Sequence, residues 1–150
     1  MKYFAYGMNT NIEQMISRCK DAVVISPAWI DGYELTFRTH ADIDSNPDAR
    51  CHGVLWDITM RDLRTLDLVE GFPYYYTRFS VRVNTGKYLV NALVYQMRDQ
   101  SIRETPPDDY LKVVTDGYQQ NGVPTKQLDV AINRICSTST AINLGLLPTR

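Results

Sequence analysis

No block of single-sign charge stands out in this chain: 16 Lys+Arg face 17 Asp+Glu, the net charge is -1, and neither sign gathers into a long run. A nucleic-acid footprint needs a basic patch or stripe, so no nucleic-acid partner is expected. Cysteine is sparse and odd in number. Cys19, Cys51 and Cys136 are widely spaced, with no C-x-x-C and no neighbouring histidine, which suits free thiols in a reducing compartment rather than a disulfide framework or a zinc site. No apolar run approaches the roughly 20 residues of a membrane span. The start of the chain carries one lysine and then Tyr-Phe-Ala-Tyr-Gly, without the apolar stretch of a signal peptide. A soluble cytoplasmic protein with no membrane association is the expectation. His40 and His52 stand apart from any Asp, Glu or Cys cluster at ligand spacing and read as polar loop or strand-edge residues; neither a metal nor a cofactor is expected.

What is present suits one domain, residues 1–150, long enough to bury a single core without staples. Tyr3 to Tyr6 is short and aromatic, reads as a strand, and ends at Gly7. Thr10 or Asn11 then caps a helix with Ile12, Met15, Ile16 and Cys19 on one face. Ala22 to Ile25 and Trp29 to Phe37 read as extended segments, the second with a turn at Asp31-Gly32. The polar segment Ala41 to Arg50 reads as a surface loop, and Gly53 to Ile58 as a strand with Trp56 in the core.

Thr59 with Asp62 three residues on has the form of a capping box, opening a helix whose buried stripe would be Met60, Leu63, Leu66 and Val69. Its outward face would be Arg61, Asp62, Arg64 and Thr65. Phe79 to Val83 and Tyr88 to Tyr95 flank a hairpin connection at residues 84–87. Asp108 is placed to cap a further helix with Leu111, Val114 and Tyr118 on one face, stopped by Asn121-Gly122-Val123-Pro124. A last helix runs from about Thr125 through Leu128, Ile132 and Ile135. The weakly patterned tail from Ser137 to Arg150 is expected to lie against the body or a partner subunit. This order lacks strict β-α-β alternation and predicts an α+β fold with a mostly antiparallel or mixed sheet, forming a small, partly closed β-barrel flanked by helices.

Two segments carry the chemistry. Tyr3-Phe4-Ala5-Tyr6-Gly7-Met8-Asn9 is a strand opening into a glycine loop, whose backbone N–H groups can receive an anionic or carbonyl oxygen. Leu66-Asp67-Leu68-Val69-Glu70-Gly71-Phe72-Pro73 is a helix end whose last residue, Glu70, sits between the buried and solvated faces and can shuttle a proton. Taken singly, Gly7 also reads as a turn glycine and Glu70 as an exposed helix-end residue.

Together these segments resemble the two signatures of the γ-glutamylcyclotransferase-like family, an aromatic strand entering a Tyr-Gly-Ser-Asn loop and a Leu-Asp-x-x-Glu-Gly helix end. Gly53-Val54-Leu55-Trp56, Tyr76-Thr77-Arg78, Val94-Tyr95, Pro107-Asp108-Asp109-Tyr110-Leu111, Gly117 and Asn121-Gly122-Val123-Pro124 extend the likeness from Tyr3 to about Ile135. The resemblance implies a small barrel-like mixed sheet and a small-molecule γ-glutamyl substrate. It also implies release of 5-oxoproline and a free amine or amino acid by attack of the substrate's own α-amine. Glu70 would be the base and then the acid. The backbone of Tyr6, Gly7, Met8 and Asn9 would bind the substrate, with hydroxyl donors from Tyr76 and Tyr95, although strand tyrosines also serve simply to fill cores. Met8 stands where the family has serine, which bears on substrate preference and keeps open a non-catalytic protein that binds a γ-glutamyl or other small acidic ligand. Members of the family can be dimers, so monomer and homodimer both stand. The apolar residues Ile142, Leu144, Leu146 and Leu147 would suit a subunit interface or docking on their own subunit.

Overall fold

The structure is a computed structural model that describes residues 1–148. Five strands close into a barrel in the order β1-β3-β2-β4-β5. They are β1 (Lys2–Ala5), β2 (Val23–Arg38), β3 (His40–Asp57), β4 (Tyr76–Asn84) and β5 (Leu89–Met97). Neighbours pair antiparallel except β1 and β5, which meet in parallel at Tyr3 and Leu93 and complete the ring. The mixed α+β barrel expected from the sequence is there, and it is closed rather than partly closed. Around it lie α1 (Ile12–Arg18), α2 (Met60–Val69), α3 (Asp108–Asn121) and α4 (Lys126–Asn143). Phe4, Ile30, Phe37, Ile43, Val54, Leu55, Trp56 and Val94 are buried from the strands, while Met15, Leu66, Val114, Tyr118 and Leu128 come from the helices.

Local signals set the ends of several elements. Asn11 caps α1 by accepting from the Gln14 N–H at 3.1 Å. Thr59 and Asp62 form a reciprocal capping box on α2, at 3.1 and 3.0 Å, which satisfies two donors that the helix start would otherwise leave open. Gly122 ends α3 in the left-handed region. Asp108 does not cap that helix: Pro107 holds the cap position with no side-chain bond, and Asp108 lies in the first turn.

The largest correction concerns residues 41–50. They form not a loop but most of the outer half of β3, paired with β2 from Arg38↔His40 through Tyr33↔Ser45, with Thr39 at the tip. Two of their three acidic residues, Asp42 and Asp44, are matched by arginines outside the segment. Arg38 donates to Asp42 at 2.7 Å and Asp44 at 2.8 Å, and Arg103, from the segment after β5, binds Asp44 and Glu34. Asp31-Gly32 is likewise no hairpin turn. It lies inside one continuous β2, where the register shifts between Asp31 and Tyr33.

Smaller corrections follow from tertiary packing. Met60 and Val69 are exposed and Asp62 is buried, because the face of α2 that meets the body is centred on Asp62, Leu63 and Leu66. Ile16 is exposed on α1. The tail continues α4 to Asn143, with Ile142 half-buried and Leu144, Leu146 and Leu147 exposed; Thr149 and Arg150 lie outside the described residues. Cys19 and Cys51 are buried free thiols and Cys136 is an exposed one.

One close approach fixes the site's frame. A Cβ on Gly117 of α3 would sit 2.5 Å from both the Asn11 nitrogen and the Thr10 hydroxyl, so only glycine lets α3 lie flat against the turn after β1. Gly117→Ala is expected to destabilise the protein by about 1–3 kcal/mol, the usual cost of overpacking a rigid contact. Urea unfolding of both proteins, read as a shift in midpoint at constant slope, checks this.

Candidate active site

β1 delivers the glycine loop. After Ala5 the chain leaves the sheet and makes one short 3-10 turn, Met8–Thr10, before α1. Several bonds pin that turn. The Tyr6 hydroxyl donates to the Tyr95 carbonyl at 2.6 Å, the Tyr118 hydroxyl to the Tyr6 carbonyl at 2.7 Å, and the Thr10 hydroxyl to the Gly7 carbonyl at 2.7 Å. Asn121 of α3 donates to the Thr10 carbonyl at 2.8 Å. Among the described residues the backbone N–H groups of Gly7 and Asn9 donate to no protein acceptor, and that of Met8 faces the Tyr110 hydroxyl. A Cβ on Gly7 would lie 2.7 Å from the Ala41 Cβ, so glycine is what lets the loop approach the start of β3.

α2 delivers Glu70. The residue caps the helix, its N–H bonding back to the Leu66 carbonyl at 2.8 Å and its carbonyl accepting from the Tyr76 N–H at 3.2 Å. One turn earlier Asp67 ties the helix end to the barrel, taking a forked pair from Arg78 at 2.9 and 3.2 Å and the Tyr95 hydroxyl at 2.7 Å. A helix terminus held on two strands gives Glu70 a fixed origin.

The two segments meet. Asn9 Nδ2 donates to Glu70 Oε1 at 3.3 Å, and both residues line one cavity of about 340 Å³. Tyr6, Gly7, Met8, Tyr76 and Tyr95 line the same cavity, so all seven residues singled out from the sequence come together. Two hydroxyls are engaged in a way the sequence does not reveal: Tyr76 donates to the Ala41 carbonyl at 2.7 Å and Tyr95 to Asp67, which leaves each oxygen as an acceptor. Burial pushes the Glu70 carboxyl up to about 7, against the opposing pull of the Arg18 charge and the Asn9 hydrogen bond. A carboxyl in that range can give or take a proton near neutrality.

Sequence reasoning missed five lining residues: Arg18, His40, Ala41, Tyr75 and Tyr110. Tyr110 accepts the Ala41 N–H at 2.9 Å, and His40 at the tip of the β2–β3 hairpin lies 3.3 Å from the Tyr75 hydroxyl. Arg18 donates to Asn9 Oδ1 at 2.8 Å and to the Met8 sulfur at 3.4 Å. A signal for it exists, since it follows the buried Met15 by three residues and therefore shares its side of α1. Among the described residues no group of three or more His, Cys, Asp or Glu side chains is arranged to hold a metal ion, and no helix is long and apolar enough to cross a membrane.

The family model described as gamma-glutamyl cyclotransferase, AIG2-like, matches residues 3–117, which include both cavity-forming segments. The chain belongs to that family. The gamma-glutamylcyclotransferase of Bos taurus is 31% identical over 138 residues, covering 81% of this chain and 72% of the bovine one. That of Homo sapiens is 26% identical over 137 residues, with the same coverages of 81% and 72%. A solved structure titled gamma-glutamyl cyclotransferase superposes with a TM-score of 0.77 at 26% identity, covering 86% of this chain and 85% of that one. The chain is thus an enzyme of the γ-glutamyl cyclotransferase family, with that family's fold.

Proposed function

We propose that this cyclotransferase cleaves a γ-glutamyl amide by intramolecular attack, releasing 5-oxoproline and a free amine or amino acid. The observation that carries the reading is the meeting of Glu70 with the Gly7 loop in one cavity, the carboxylate 3.3 Å from Asn9. In the free substrate the α-nitrogen is an ammonium and has no lone pair. Glu70 as carboxylate takes one of its protons, and the amine nitrogen then bonds to the γ-carbonyl carbon. Negative charge moves to the carbonyl oxygen, where the N–H groups of the Gly7–Asn9 turn are the available donors; each well-placed donor is typically worth about 2.7–4 kcal/mol of barrier. Glu70, now protonated, returns its proton to the leaving nitrogen as the original C–N bond breaks. The attacking nitrogen, now bonded to the γ-carbon, still holds one proton more than the lactam N–H; Glu70, a carboxylate again, takes it and passes it to the released amine, which leaves as an ammonium. Two protons thus move from the α-nitrogen to the leaving nitrogen, Glu70 ends as it began, no water is consumed, and no cofactor enters the scheme.

Incubating the protein with γ-glutamyl amino acids, γ-glutamyl amines and glutathione, and quantifying 5-oxoproline, tests the reading. Product from at least one of them is expected; a folded protein that yields none from any of them sinks it. The pH dependence adds a second check. Because the base form is required and burial holds the Glu70 carboxyl near 7, kcat/KM for the free enzyme is expected to rise tenfold per pH unit below about pH 7 and to level above it. An acid limb centred near 4.5 would show that another group, or an unperturbed carboxyl, carries the proton.

A further inference from the structure

Among the described residues Arg18 is the one Lys or Arg lining the active-site cavity, and they give it no carboxylate partner: its contacts are the Asn9 amide oxygen and the Met8 thioether. An arginine has only donors, so its bond to Asn9 fixes which end of that amide is oxygen and leaves Nδ2 for Glu70 at 3.3 Å and the Tyr3 hydroxyl at 3.0 Å. Asn9 therefore stands between a guanidinium and a carboxylate and touches both. Neither charge is paired with the other. A thioether is a weak acceptor, so the Arg18 Nη2 is held by the poorest partner in reach and gains most from an incoming anion.

An α-amino acid end carries the same pattern of charge, an ammonium and a carboxylate on one carbon. We infer that Arg18 is the specificity residue for the α-carboxylate of the γ-glutamyl unit, while Glu70 faces its α-ammonium. This rests on the proposed cyclotransferase reading and adds to it the group that selects a free α-carboxylate. Charge-assisted bonds from guanidinium to carboxylate are short and strong where water is excluded, and a substrate lacking the anion leaves that donor set unanswered.

The test compares L-γ-glutamyl-L-alanine with the analogue whose glutamyl α-carboxylate is a carboxamide. Both are titrated calorimetrically against Glu70→Gln protein carrying Arg18, Arg18→Lys or Arg18→Met; with Glu70 intact, the dipeptide is assayed for 5-oxoproline and the analogue for 5-oxoprolinamide. With Arg18 present the carboxylate ligand is expected to bind about 10–100-fold more tightly than the carboxamide, the range for a hydrogen bond to a charged group. Arg18→Met should erase that preference by weakening the carboxylate ligand alone, with the loss in turnover falling on KM more than on kcat. Arg18→Lys, which keeps the charge without the fork, should keep part of the preference.

Equal weakening of both ligands in Arg18→Met would overturn the inference, since Arg18 would then only be holding Met8 and Asn9 in place. Absence of any carboxylate preference in the Arg18 protein would overturn it as well, and that reading does not depend on either variant folding. Carboxylate-selective binding without 5-oxoproline from the Glu70 enzyme would instead sink the cyclotransferase reading and leave the Arg18 assignment standing.

Discussion

Glu70→Gln is expected to fold, to bind a γ-glutamyl compound, and to release 5-oxoproline at least about 10³-fold more slowly than the parent. Acid–base catalysis by a positioned side chain contributes about 10²–10⁴, and here one carboxyl serves both the attack and the departure. Glutamine preserves the shape and an acceptor oxygen but cannot carry a proton. The same substitution has a second, independent signature. Burial raises the folded-state pKa of Glu70 from the usual 4.5 to about 7, so the folded protein holds that proton more tightly than the unfolded chain does. The stability this contributes is complete below about pH 4.5 and is lost as pH rises through about 7. Glutamine escapes that loss. At pH 8 Glu70→Gln should therefore be more stable than the parent by about 1–3 kcal/mol, at roughly 1.4 kcal/mol per pKa unit with partial relief by solvent, and the difference should close toward pH 4.5. An active Glu70→Gln enzyme refutes the assigned role, and a stability gain that does not depend on pH refutes the buried-carboxyl account.

Gly7→Ala is expected to cost about 10²–10³-fold in kcat while leaving the barrel folded. The added Cβ would stand 2.7 Å from the Ala41 Cβ, an atom fixed to the backbone of β3 that cannot swing aside. The loop is pinned on its other side by Tyr118, Thr10 and Asn121, so the clash is relieved by shifting the turn that presents the N–H groups of Gly7, Met8 and Asn9. Misplacing one oxyanion donor costs about 10²–10³ in kcat elsewhere. Circular dichroism should show the parent's secondary structure, and steady-state kinetics should place the loss in kcat. Parental kcat in Gly7→Ala would mean that this turn does not face the developing charge.

The difference in fate between the two halves of the site shows what one chain of letters makes legible. Glu70 and the Gly7 turn can be read because each ends an element on a local signal, an apolar stripe stopping at Gly-Phe-Pro and an aromatic strand stopping at glycine. The capping box at Thr59 and Asp62 and the stop at Gly122 are local in the same way, and so are readable. Residues 41–50 defeat local reading because their acidic side chains look like those of a solvated loop until Arg38 and Arg103 are seen against Asp42 and Asp44. The partner at Arg103 lies 59 residues from Asp44, and no window along the chain contains both. That error also hid His40 and Ala41 at the cavity wall, which only the β2–β3 hairpin brings there. For Tyr76 and Tyr95 residue type shows a hydroxyl at the cavity, while only the fold shows where it donates.

Intramolecular attack at the cavity shared by Glu70 and the Gly7 turn is tested most directly by running the reaction in water enriched in oxygen-18 and identifying both products by mass. Cyclisation predicts 5-oxoproline without the heavy isotope, in one-to-one yield with the released amine, because the new bond to the γ-carbon comes from the substrate's own nitrogen. Glutamate carrying oxygen-18 would show that water is the nucleophile and would contradict the account.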